Sequence, residues 1–130
     1  LNIPYPTIMT RTGFEAFVSR LPAVFVVRQW RDDSVAKVGD KIFALLDRDP
    51  GEVWCKVSDM SFDLLTELPG IRPAPYFARA GWVAISHESP LAGDEVEAYV
   101  VEAHRLIAAK LSKKRRLALG IDHLPIHAPL

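Results

Sequence analysis

The chain has 130 residues, 49% of them hydrophobic and 25% charged, with 16 Lys and Arg balanced by 16 Asp and Glu. That length excludes two full cores, and the ordinary charged fraction excludes wholesale disorder. Neutrality excludes a uniformly basic nucleic-acid binder, so any polyanion site must be a local patch.

Residues 1–9, with Pro4 and Pro6, read as an extended arm. Helix signals begin at Thr10 or Thr12, and Thr12 stands at capping-box spacing from Glu15. Phe14, Phe17, Val18 and Leu21 form one apolar stripe before Pro22 stops the helix. Residues 24–30 are β-branched and aromatic, and residues 31–34 are a polar turn. Strands over 35–38 and 41–46 flank Gly39-Asp40, a two-residue hairpin link that puts Lys37 and Lys41 at the tip. After a turn over 47–51, Val53, Cys55 and Val57 alternate with Trp54 and Lys56, the period of a strand.

Ser58 or Asp59 caps a second helix with Leu64, Leu65 and Leu68 facing inward, ended by Pro69-Gly70. Residues 69–81, rich in Pro and Gly, read as a long loop carrying Tyr76 and Arg79, and 82–86 as the last strand. The final helix runs from near Gly93 to Leu111 or beyond. Its acidic start and its basic end (Lys110, Lys113, Lys114, Arg115, Arg116) suit the helix dipole. Residues 117–130 read as a tail. The order α-β-β-β-β-α-β-α with short hairpin links predicts one α+β domain, an antiparallel sheet packed against helices.

No catalytic constellation emerges. His123 and His127 have i, i+4 spacing, but Pro125 lies between them and no Glu or Cys joins them. His104 falls on the polar shoulder of the final helix, and His87 follows the last strand. Cys55, mid-strand between valines, reads as a buried hydrophobe. Asp47, Asp49 and Glu52 lack the ligand spacing of a calcium loop and read as a solvated turn. The expectation is a non-enzyme with no cofactor and no metal. A lone cysteine forms no intrachain disulfide, no apolar run reaches membrane-spanning length, and the N-terminus lacks signal-peptide features. The cytoplasm is the expected compartment.

Binding chemistry is better represented. Cations and flat rings mix along the strands and loops: Arg28 with Trp30, Lys37 with Lys41, Trp54 with Lys56, then Tyr76, Arg79 and Trp82. Cations suit phosphates and rings suit bases or groove walls. Residues 110–116, with Lys110, Lys113, Lys114, Arg115 and Arg116, form the densest positive run. A plainer reading makes the tryptophans sheet-covering residues and the lysines solvating edges.

The ordered set of Met9-Thr10-Arg11, Phe14, Phe17, Leu21-Pro22, residues 37–45, Cys55-Lys56, Pro69-Gly70-Ile71, Pro73-Ala74, Tyr76, Trp82-Val83 and residues 111–115 resembles the MmcQ/YjbR family of small bacterial domains. The resemblance implies a frataxin-like α+β fold, also called a double wing, and a DNA-binding role. Where the family often has Ser-Tyr in the final helix, this chain has His104-Arg105. Gln29-Trp30 stands where Pro-Trp is common. The fold also raises iron, but the first helix carries Glu15 alone beside Arg11 and Arg20, which leaves nothing to hold a hard cation.

Three expectations follow. Duplex DNA would be held by its backbone through Arg28, Trp30, Lys37, Lys41, Lys56, Arg79, Lys113, Lys114 and Arg115. A protein partner, or a second copy of the chain, would instead meet Trp30, Trp54 and Trp82 exposed as one patch. A small molecule would need a deep pocket beside Tyr76.

Overall fold

A computed structural model describes residues 9–123 of the chain. Thr10, rather than Thr12, caps α1 (Arg11–Ser19), its hydroxyl accepting the Gly13 N–H at 2.9 Å. Glu15 therefore closes no capping box; its carboxylate reaches the sheet and accepts from Arg28 and Ser34. Phe14 and Val18 are fully buried, with Phe17 and Leu21 packed at the margin of the core.

Six antiparallel strands follow, β1 (Val24–Gln29), β2 (Asp33–Val38), β3 (Lys41–Leu46), β4 (Val53–Lys56), β5 (Ile71–Pro73) and β6 (Trp82–Ile85), in the spatial order β1-β2-β3-β4-β6-β5. The β2–β3 hairpin has the expected register, with Val38 opposite Lys41 and Lys37 opposite Ile42. Gly39 turns the chain at φ +63°, a conformation glycine adopts without strain. The register slips by one residue beyond that point, leaving Phe43 without a partner across the ladder. Bulges re-aim side chains, and Phe43 ends fully buried among the core residues, edge-on to the His104 ring.

Strand β5 was not expected, since residues 69–81 read as loop. Its third residue is Pro73, which has no N–H to give, so the strand is tolerable only at a sheet edge. Among the described residues it pairs with β6 alone and forms that edge.

Ser58 caps α2 (Asp59–Leu65) by accepting the Ser61 N–H. Leu65 is buried as expected, but Leu64 is exposed. Over two helical turns it shares the outer face with Met60, one i, i+4 step away.

The expected long final helix is two helices, α3 (Gly93–Ala108) and α4 (Lys113–Leu119). Glu95 accepts the Ala92 N–H at the start of α3, the half of a capping box that an alanine cap permits. Ser112 leaves helical geometry and caps α4 by accepting the Arg115 N–H at 3.1 Å. The basic run thus occupies the first turn of α4, where the dipole is positive, so it does not complement the dipole of α3. Residues 117–119 are helical and Ile121 is buried, so the predicted tail does not begin at 117. Residues 1–8 of the predicted arm and 124–130 of the tail, with His127, lie outside the described residues.

One face of the sheet carries the main core, where Phe14, Phe43, Cys55, Val83, Val100 and Leu111 pack together beneath α1, α2 and α3. The other face carries a smaller cluster, Ala74, Trp82 and Ala84, covered by Phe77, Trp54 and Ile42.

His104 belongs to the core rather than to a polar shoulder, and is only 4% exposed. Its Nε2–H donates to the Pro22 carbonyl at 2.9 Å, which sets the tautomer of the neutral ring. Burial lowers its pKa below the ordinary 6.5, opposed by the bond to Pro22. The unfolded chain therefore binds the proton more readily, and stability is lost as pH falls through 6.5. Urea midpoints should decline over that window, and His104→Gln should flatten the decline. An equal slope in the variant would remove His104 as its cause.

Candidate nucleic-acid interface

The register decides which cations share an end of the sheet. Ala44 opposes Cys55 and Lys56 opposes Trp82, so the β2–β3 hairpin tip, the end of β4 and the start of β6 share one end of the sheet. Lys37 and Lys41 are at that tip, and Arg79 is exposed on a short 3-10 turn (Ala78–Ala80) leading into β6. Helix α4 packs against the same tip. Arg115 Nη2 lies 3.8 Å from Asp40 Oδ1, and a side chain at Gly39 would meet Arg115 and Leu111 at 3.3 Å. Lys113 and Lys114 are exposed on that helical turn.

Lys56 donates its ammonium to the Ala80 carbonyl. Its pKa is lowered, first by burial and then by the charge of Lys110, while Asp59 opposes the shift. Lys56, Arg79 and Lys110 line a recess of about 520 Å³ that also contains Asp59 and Asp63. Lys110 opens the basic run that the sequence marks, and the fold brings it to Lys56. It comes into range because the chain turns between α3 and α4, and two lysines far apart in sequence carry no local signal of that meeting.

Arg28 and Trp30 lie elsewhere. Arg28 is opposite Ser34 near the far end of β1, and its Nε and Nη2 each lie 3.1 Å from the Glu15 carboxylate. That pairing, with the Ser34 hydroxyl, holds the Glu15 pKa below its usual value. Trp30 follows β1 and is 58% exposed. Trp30, Trp54 and Trp82 all gather around Phe77, with ring centroids 6.5, 6.3 and 4.9 Å away. Trp82 is buried and Trp54 half-buried, so the three do not form one exposed patch.

Other candidates resolve on burial. The Cys55 thiol is fully enclosed and its pKa is pushed up to about 12, so it supplies no thiolate at neutral pH. Asp47 and Glu52 are buried rather than solvated, because the turn folds back against the sheet and Asp47 accepts from the Gly51 and Glu52 N–H groups. Among the described residues no group of three or more His, Cys, Asp or Glu could hold a metal ion. No helix there is long and apolar enough to cross a membrane.

A family model described as YjbR matches residues 19–106. Among solved structures, Deinococcus radiodurans protein DR2400, described with the domain DUF419, superposes with a TM-score of 0.78 at 21% identity over 93% of both chains. A protein from Pseudomonas syringae gives a TM-score of 0.61 at 21% identity over 73% of this chain and 96% of its own. At such identities the likeness is one of fold. No curated protein sequence matches.

Proposed function

The chain belongs to the YjbR family, and from that premise we propose that it binds the phosphate backbone of duplex DNA through the basic end of its sheet, with no catalytic step. The observation that supports this reading is the convergence of Lys37, Lys41, Lys56, Arg79, Lys110 and the first turn of α4 at one end of a neutral molecule. Asp40, Asp59 and Asp63 are interleaved there, and they lower the field without cancelling it.

The chemistry is charge neutralisation. Flexible ammonium groups displace condensed counterions from phosphates, which positions the protein but reads no base edges. The repulsion between Lys56 and Lys110 is relieved when a phosphate enters the recess they share. Arg28 is already neutralised by Glu15 and stands outside the proposed surface.

Affinity for a duplex, measured against salt, tests the proposal. Engagement of about three or four phosphates predicts a slope of log K on log salt of about −3 to −4. Arg28→Ala should leave both affinity and slope unchanged. A flat salt dependence, or no binding at low salt, would sink the reading.

A further inference from the structure

On the sheet face opposite the main core, a groove of about 820 Å³ opens between the β1–β2 turn, the turn over 47–52 and residues 75–77. Trp30, Trp54 and Phe77 line it, and Tyr76, wholly exposed, stands at its mouth. Asp33 and Asp47 also line it, though they are only 7% and 3% exposed.

The carboxylates hold the interest because of what they lack. Asp33 Oδ1 accepts the Arg48 N–H at 2.9 Å, and Asp47 Oδ1 accepts the Gly51 and Glu52 N–H groups at 2.6 and 2.8 Å. Those partners are backbone dipoles. Among the described residues neither Asp has an ion pair, whereas Glu52 beside them is paired with Arg72 at 2.6 Å. Desolvation raises the Asp47 pKa, opposed by the Glu52 and Gly51 N–H groups, and the negative neighbours Glu52 and Asp33 add to the rise. Buried carboxylates ordinarily have a cationic partner, because taking an isolated charge out of water is expensive. Here the unbalanced charge adjoins an open groove walled by rings, and ring faces attract cations.

We propose that this groove binds a small organic cation, an ammonium or guanidinium group on an apolar body. Asp33 and Asp47 take the charge, and Trp30, Trp54 and Phe77 pack the body. The volume falls within the range of roughly 300–1,000 Å³ usual for such ligands. Arg31 also lines the groove and repels a second positive charge, so monocations are preferred over polyamines. The site is independent of the DNA reading, since none of its lining residues lines the basic recess.

The chain has three tryptophans, all beside Phe77, so its fluorescence reports on this region. Titration with benzyltrimethylammonium should give a saturable change with half-saturation at or below about 1 mM, with benzyl alcohol and benzoate at least tenfold weaker. By calorimetry, Asp33→Asn and Trp30→Ala should each weaken the ammonium about tenfold or more while circular dichroism is unchanged. Asparagine can still accept the Arg48 N–H, and Trp30 is exposed, so both variants should fold. DNA affinity should be unaltered by Asp33→Asn, which keeps failure of this site distinct from failure of the DNA reading. A response that never saturates, equal binding of benzyl alcohol or benzoate, or unchanged affinity in both variants would overturn the proposal. Binding confined to arginine within a peptide, with none to the free ammonium, would also overturn it in favour of a protein partner.

Discussion

Lys113→Glu combined with Lys114→Glu should weaken duplex binding on the order of a hundredfold at about 0.1 M salt, and should lower the salt slope by about two. Each lysine lost removes one phosphate contact, and each glutamate gained repels the backbone. The same change should help the fold. Four basic residues, Lys113 to Arg116, open α4 at the positive end of its dipole, and carboxylates there are favourable by about 0.3–1 kcal/mol each. A loss of binding with an unchanged or raised melting temperature therefore cannot be put down to unfolding. Arg31→Glu with Arg48→Glu changes the net charge equally but at the other end of the sheet, and serves as the control. Equal losses in both double variants would show that net charge, not a local surface, holds the DNA.

Phe43→Ala should destabilise the chain by about 3–5 kcal/mol, as expected for a fully buried phenylalanine whose site cannot collapse. Phe43 sits where the sheet meets α3, with its ring 5.2 Å from the His104 ring and nearly perpendicular to it. The extra residue in β3 delivers it there, so no neighbour in the ladder can move in to replace it. Urea denaturation gives the difference directly. Phe43→Leu should recover more than half of the loss, because most of the apolar volume returns. A loss below about 1 kcal/mol for the alanine variant would mean that the core repacks there.

The residues missed or misplaced in the sequence share a cause. Strand β5 has three residues, too few for a period to show, and it forms because β6 offers an unpaired edge. Leu64 belongs to an apolar pattern but faces out, because α2 is too short to bury more than one side. Ser112 marks the break after α3 with a capping side chain, yet the basic residues beyond it resemble a helix end as much as a helix start. His104 looked peripheral by helical spacing, and is core because Phe43 and the Pro22 carbonyl come to meet it.

Local chemistry sufficed for the α+β class, the Gly39-Asp40 hairpin and its register, the alternation of β4 and the caps near Thr10 and Ser58. Each depends on residues a few positions apart, and backbone sterics and hydrogen bonding act over that range. Which charges meet was settled only in three dimensions. Arg28 found Glu15, Lys56 came near Lys110, Arg115 found Asp40, and Asp33 and Asp47 have no ion pair among the described residues. Coulomb forces follow distance through space, and a sequence states separation along the chain alone.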